Sequence, residues 1–113
     1  MKSRERDALV ATNVLNHHVK MIDGRFKFLY EVLPTGLEVW LEMPNLSTDI
    51  SAAWEVVKRM NESNHRLRLN QTIDGLLYSV WFDGIRDSGA ISSSAAEAIC
   101  IAALRAVGIE IDD

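Results

Sequence analysis

The chain has 113 residues, of which 48% are hydrophobic and 25% are charged, and its mean hydropathy is close to zero. These values are typical of one globular domain with a single hydrophobic core, and they exclude a disordered or a fibrous chain. The formal net charge of −4 gives no long-range attraction to duplex nucleic acid or to an anionic membrane, so any phosphate recognition requires a local cluster of cations.

The chain also lacks the sequence signals of export or membrane insertion. No apolar run approaches the roughly 20 residues that a membrane span needs. Residues 1–7 are charged and no apolar signal-peptide segment follows them. The single Cys100 cannot form an internal disulfide and agrees with a reducing compartment. We therefore expect a cytoplasmic protein without a membrane partner.

The first third of the chain predicts one helix and a strand region. Apolar side chains recur at helical spacing over residues 3–18, without Gly or Pro, which indicates an amphipathic helix. An Asp-Gly pair at residues 23–24 is a turn signal, and residues 25–30 alternate basic and aromatic side chains as a strand does. Residues 34–36 form a second turn, after which residues 37–42 either pair back as a strand or form an ordered loop.

A second helix is predicted after residues 47–49, which offer hydroxyl and carboxylate caps. Five apolar residues follow at helical spacing and predict one buried stripe: Ile50, Ala53, Trp54, Val57 and Met60. In this interpretation Trp54 is a core residue that packs against the sheet. Residues 61–64 end the helix.

Two neighbouring strands are predicted next. Residues 66–70 alternate with period two, which places both leucines on one face of a strand and Arg66 and Arg68 on the other. After an Asp-Gly turn, residues 76–83 read as a partner strand with apolar side chains on both faces. This pattern is typical of a strand in the centre of a sheet.

The last helix is predicted over residues 95–107, with Ser94 and Glu97 at capping-box spacing and Gly108 as its stop. Six of its side chains are alanine and only Glu97 and Arg105 are charged. We therefore expect it to be the most buried helix or an oligomer contact, and we predict a homo-oligomer.

These elements predict an α+β fold in one domain over residues 1–113. Three helices flank a small, mainly antiparallel sheet in a three-layer α/β/α sandwich.

The predicted helices contain three stretches that carry a family resemblance: DALVA at residues 7–11, STDISAAWEVV at 47–57 and AEAICIAAL at 96–104. In these stretches the chain resembles the phage ABA sandwich domain, a family of small proteins encoded by bacteriophages and prophages. The resemblance covers most of the chain and implies a three-layer helix, sheet, helix fold and a phage origin. Together with the cytoplasmic location expected above, we expect the protein in the host bacterial cytoplasm. It implies no catalytic activity that can be carried over to this chain. Residues 21–43 depart from the family pattern, which makes this segment a place for a specific role.

The signatures of the main enzyme classes are missing from the sequence: the P-loop, the dinucleotide glycine motif, the nucleophile elbow and the helical metalloprotease motif. Cys100 lies in an apolar helix, where a thiol is a packing residue. His17, His18 and His65 do not supply the three or four converging ligands of a closed metal site. We therefore expect no catalytic residues, no metal site and no cofactor.

The candidate ligand-binding residues combine cations, helix-start hydroxyls and aromatic rings. Helix starts attract phosphate, guanidinium groups bind it with forked donors, and indole rings stack on bases. The candidates are Arg66, Arg68, Arg86, Ser92, Ser93, Ser94, Trp40 and Trp81. In the alternative interpretation the serines only cap the helix, the arginines are only solvated, and the tryptophans belong to the core.

Two functions from different classes fit these features. The first is a counter-defence protein that sequesters a nucleotide-type host immune signal. The second is a non-enzymatic interaction module that inhibits a host defence protein or serves phage assembly through residues 26–40. The first function predicts a closed, basic cavity lined by aromatic rings, and the second predicts a flat, exposed apolar patch.

Overall fold

A computed structural model describes residues 3–72, 74–83 and 89–109, which form three helices and two antiparallel sheets of three strands each. The helices are α1 (Ser3–Asn13), α2 (Ile50–Glu62) and α3 (Ala95–Ala106). The first sheet, called the arm, contains β1 (Val19–Ile22), β2 (Arg25–Val32) and β3 (Glu38–Glu42). The second, called the body sheet, contains β4 (Leu67–Gln71), β5 (Tyr78–Phe82) and β6 (Ala90–Ser92).

This arrangement confirms the predicted α+β class, with one difference in how the strands pair. The sequence predicts a single sheet, whereas the six described strands form two separate sheets. Local alternation identifies strands but does not show which strands will pair, because pairing is a long-range property. In the described ranges no helix has the length and hydropathy to cross a membrane.

Helix α3 lies at the centre of the core. It packs against β5 and β6 of the body sheet and against α1 and α2. Residues 98–104 are all buried, and seven consecutive residues point in every direction around a helix with about 3.6 residues per turn. The prediction that α3 is the most buried helix is confirmed. The other described elements already cover α3, so α3 is not free to form an oligomer contact. Self-association stays a prediction, and it would have to use a different surface of the protein.

Helix α2 buries a narrower stripe than the sequence predicts. The side chain of Asp49 caps the helix by accepting a hydrogen bond from the amide of Ser51 at 2.9 Å. Trp54 and Ile50 are 51% and 44% exposed, so the prediction that Trp54 is a core residue is wrong. Helix α2 packs mainly on α3 and to a small extent on β4, and this packing leaves half of Trp54 exposed. The buried residues of α2 are Ala53, Val56, Val57 and Met60.

The body sheet confirms the predicted central strand. β5 pairs with β4 on one side and with β6 on the other. Val80 and Phe82 are buried and β5 packs on α3, so Trp81, with the opposite parity, faces away from α3. β6 is only three residues long, which is too short for its alternation to be recognised in the sequence.

The arm is a meander that adds little to the core. The Asp-Gly turn at residues 23–24 has φ values of 51° and 77°, as two-residue hairpins require. Strand β3 pairs back on β2, so the strand alternative for residues 37–42 is correct. Helix α1 ends at Asn13, before the predicted residue 18, because Asn16 adopts a left-handed conformation with φ of 58° and the chain turns into β1.

The arm is attached to the body mainly where β1 meets α1, and the whole molecule measures 54 × 28 × 24 Å. No residue from 15 to 42 is among the buried core residues of the described chain. Five large apolar side chains of the arm segment are exposed: Met21, Tyr30, Val32, Leu37 and Leu41.

A buried polar cluster connects α1, the loop before α2 and the start of α3. Asp7 accepts hydrogen bonds from the amide of Ser47 at 3.0 Å and from its hydroxyl group. Arg6 is buried and pairs with Glu97 at 3.3 Å, and Arg4 pairs with Asp7 at 3.1 Å. The cluster therefore joins the three stretches that carry the family resemblance.

Candidate functional site

The outer face of the body sheet, which is turned away from α3, groups three of the predicted ligand-binding residues. Arg68 and Trp81 are register partners on β4 and β5. Arg66 lies two residues before Arg68 and therefore shares its face. These side chains line an open depression of about 340 Å³ along β4, whose lining also includes Leu67, Leu69, Asn70 and Asp83. The surface, called the open face, consists of Arg66, Arg68, Asn70, Ser79, Trp81, Asp83 and Ile91.

The guanidinium of Arg68 is held in place by Asp83. Its Nε donates to both carboxylate oxygens of Asp83, each at 3.1 Å. Both side chains are exposed, so this ion pair adds at most about 1 kcal/mol to stability. Its effect is orientation, because only Nε of Arg68 contacts Asp83, so the two terminal nitrogens are not used in this ion pair. In the described part of the chain, the side chain of Arg66 makes no hydrogen bond or ion pair.

The rest of the open face offers polar and apolar contacts in a second row. Asn70, Ser79 and Ile91 are register partners across β4, β5 and β6. Ile91 is 66% exposed and adds an apolar surface to this row. The open face can therefore bind phosphate, stack a ring, donate hydrogen bonds and contact an apolar surface.

The cavity that the sequence analysis predicts is closed, whereas this depression is open to solvent. That part of the prediction is wrong for these residues. Among the described elements no second layer covers the outer face, and a single sheet without a covering layer cannot enclose a ligand.

The three predicted serines do not join the open face. Ser92 pairs with Tyr78 and is buried on the side of α3. Its hydroxyl donates to Glu97 at 3.0 Å and accepts from the amide of Ser94 at 3.1 Å. Ser94 caps α3 by accepting from the amide of Glu97 at 3.2 Å, and Ser93 is exposed in the same turn. A carboxylate therefore occupies this helix start, and its charge opposes a phosphate there.

The two other predicted residues also lie elsewhere. Trp40 belongs to β3 of the arm, where the Nζ of Lys20 lies 4.2 Å from the centre of its ring. Arg86 lies outside the described residues. Asn70, Ser79, Asp83 and Ile91 were missed as candidates. Alternation alone places Asn70 on the same face of its strand as Arg68, and Ser79 on the same face of its strand as Trp81.

The histidines take part in packing and hydrogen bonding. The ring of His17 lies 4.8 Å from that of Phe28, which links the loop after α1 to the arm. Burial and the positive charge of Arg59 lower the pKa of His17. His65 contacts the backbone oxygen of Asp83 through Nδ1 at 3.0 Å. Within the described ranges, no three His, Cys, Asp or Glu side chains lie close enough together to hold a metal ion.

Cys100 is buried in α3, as the sequence predicts. Burial and, to a smaller extent, the negative charge of Asp7 raise the pKa of its thiol to about 12. The thiol is therefore uncharged at neutral pH and acts as a small apolar group in the core.

Comparisons with known proteins identify the family. The model of the phage ABA sandwich domain matches residues 8–104. The chain is also similar to a phage protein from Bacillus cereus ATCC 14579, whose 2.0 Å crystal structure aligns with a TM-score of 0.72 and 24% identity over 99% of this chain and 93% of that chain. This likeness shows the fold alone. No curated protein matches the sequence. Because the family model spans the core and both sheets, the chain belongs to the phage ABA sandwich domain family.

Proposed function

We propose that this phage protein is a non-catalytic binding protein that captures a nucleotide-type host signalling molecule on the open face and so acts in counter-defence. The grouping of Arg66, Arg68 and Trp81 on one exposed sheet face is the observation that carries the proposal. Guanidinium groups bind phosphate through charge-assisted, forked hydrogen bonds, and an indole ring stacks on any base. A phage protein that holds such a molecule keeps it from its host receptor.

The geometry gives each side chain a separate contact. Trp81 offers its ring to the base, and Arg68 lies directly across the strands from it, where Cβ atoms are about 5 Å apart. Asp83 already orients Arg68, so less conformational entropy is lost when a phosphate binds, although the negative charge of Asp83 offsets part of the attraction. These side chains donate, accept and stack, and the proposal assigns no chemical step to any of them.

Thermal unfolding with a panel of linear and cyclic nucleotides tests the proposal. A ligand at 100 times its Kd stabilises the folded state by about 2.7 kcal/mol. With a nucleotide that gives a shift, titration calorimetry is expected to show a loss of about 1.5–3 kcal/mol of binding free energy for Arg66→Ala and for Arg68→Ala. The exposed Arg25 on the arm gives the matched control, because Arg25→Ala removes an equal charge outside the open face. No shift with any nucleotide would reject the proposal, as would wild-type affinity in the double variant.

The arm supports a second candidate function, an interaction module that binds a host protein. Tyr30, Val32 and Leu37 are each more than half exposed. Lys20 and Lys27 are register partners on β1 and β2, a like-charge pair next to Glu42, which is the register partner of Lys27 on β3. A partner with an apolar patch bordered by carboxylates would cover the three exposed apolar side chains and neutralise the two lysines.

A matched pair of variants separates the two functions. Val32→Glu with Leu37→Glu changes the arm, and Arg66→Ala with Arg68→Ala changes the open face. The second candidate predicts that capture of one specific host protein is lost with the arm variant and kept with the open-face variant. Equal capture by both variants would contradict it. A stable dimer of the wild-type chain that is lost in the arm variant would also contradict it, because a second copy of the chain would then cover the arm.

A further inference from the structure

The cations of the open face are arranged in a line. Arg68 lies on β4, and Arg66 lies just before that strand begins, where its backbone oxygen still accepts from the amide of Asp83. An extended chain rises about 3.3 Å per residue, so the Cα atoms of the two arginines lie about 6.6 Å apart. β4 is an edge strand, and Trp81 lies beside it on the central strand in register with Arg68. Two phosphate groups along β4 can therefore each meet one guanidinium.

The second row continues this line. After Arg66 and Arg68, the next residue of β4 on the same face is Asn70, whose partners are Ser79 and, one strand further, Ile91. A mononucleotide stacked on Trp81 with its phosphate at Arg68 leaves this row empty. The row has an amide and a hydroxyl that can bind the edge of a base, and a mostly exposed isoleucine against which a base can pack.

From this arrangement we infer that the open face binds two nucleotide units joined by a phosphodiester. The first base stacks on Trp81, the linking phosphate lies at Arg68, and the outer phosphate of the first unit lies at Arg66. The second base lies over Asn70, Ser79 and Ile91. This inference rests on the proposed function, and it names the ligand class for the same site.

The openness of the site agrees with a ligand of this length. A sheet face without a covering layer lets a ligand extend from one row to the next. Linear and cyclic dinucleotides have the linkage in common, so both are included in the test.

Titration calorimetry with four defined probes tests the inference: adenosine monophosphate, a linear 5′-phosphorylated diadenylate, cyclic diadenylate and a linear diuridylate. We expect a diadenylate to bind about tenfold tighter than the monophosphate, which corresponds to one well-formed additional contact. The dependence of its affinity on salt should also be steeper by about 0.7 in log–log slope for the additional phosphate. Tighter binding of either diadenylate than of the monophosphate supports the inference. The form that binds more tightly shows whether the natural ligand is linear or cyclic.

A variant of the second row separates this inference from the proposed function. Asn70→Ala with Ile91→Ala should reduce the diadenylate affinity to that of the monophosphate and leave the monophosphate unchanged. Asn61→Ala with Leu76→Ala gives the control, because both residues are exposed and lie outside the open face. Equal affinity of mono- and dinucleotides would overturn the inference while the proposed function stands. Failure of all four probes, with no shift in the nucleotide panel, would overturn both.

Discussion

The carboxylate of Asp7 accepts hydrogen bonds from both the backbone amide and the hydroxyl group of Ser47, which lies 40 residues further along the chain. Both residues are buried. Buried polar groups keep their partners in folded proteins, because an unpaired one costs its full desolvation energy. This pair therefore holds α1 and the loop before α2 in one relative position over the start of α3.

Substitutions at this pair are expected to destabilise the fold to different extents. Asp7→Ala leaves the buried amide of Ser47 without its acceptor and Arg4 without its ion pair, at a cost of about 1–3 kcal/mol for the unpaired group. Ser47→Ala keeps the amide contact and should cost about 1 kcal/mol. Urea unfolding measures both, with Glu55→Ala on the exposed side of α2 as the control. Wild-type stability of Asp7→Ala would contradict this role.

Trp54→Ala is expected to cost only about 1 kcal/mol of unfolding free energy, because half of the side chain already faces water. Leu104→Ala, at a fully buried position of α3, is expected to cost about 2–5 kcal/mol. Thermal unfolding of the two variants compares them directly. A loss for Trp54→Ala as large as that for Leu104→Ala would mean that the indole is covered in solution.

The buried thiol of Cys100 predicts a loss of stability in alkaline solution. Its pKa is raised from 9.0 to about 12 in the folded state, mainly by burial. Between these values the unfolded chain releases a proton that the folded chain keeps, so the folded state binds more protons and its stability falls as the pH rises. The contribution of this group changes by about 1.4 kcal/mol per pH unit in that window and is constant below it.

Unfolding free energies of the wild type and of Cys100→Ala, measured at several pH values from 7 to 10, isolate this effect. Other groups titrate in both proteins, so only their difference reports on the thiol. The wild type should lose stability faster than the variant above pH 9. A difference that is constant with pH would show that the thiol ionises in the folded state as it does in the unfolded chain.

Ser94→Ala tests the structural interpretation of the serine run. Loss of the N-cap of α3 is expected to cost about 0.5–2 kcal/mol, whereas affinity for any nucleotide bound on the open face should not change. Ser93→Ala, at an exposed position in the same turn, should change neither quantity. If Ser94→Ala reduces nucleotide affinity while Arg66→Ala does not, the site lies at the start of α3.

The sequence shows which residues of one strand share a face of the candidate site, but it does not show which residues of the next strand lie beside them. Alternation placed Arg66 and Arg68 on one face, because a side-chain period of two is a property of the strand backbone. That Trp81 lies opposite Arg68 depends on the register of β4 and β5, which the turn between them sets. Strand register also decides the position of Ser92, because the side of the sheet on which it lies depends on how the three-residue strand β6 pairs with β5.

The predicted environment of Trp54 failed for a related reason. Helical spacing shows that α2 has an apolar stripe, but the partner helix decides which part of that stripe is covered. The buried side of α2 contains Ala53, Val56 and Met60, whereas half of the Trp54 side chain stays exposed. The caps at Asp49 and Ser94 were predictable because they involve only residues a few positions apart.

The arm has a consequence for how this protein can change in evolution. In the described chain its strands rest against the outside of the core, through residues such as Val19 and Phe26, and supply none of its buried side chains. Substitutions there leave the packing around α3 intact, so most of them stay within the small stability margin of a domain this size. The arm can therefore acquire new surface chemistry, or exchange its strands with those of a relative, while the body continues to fold as before.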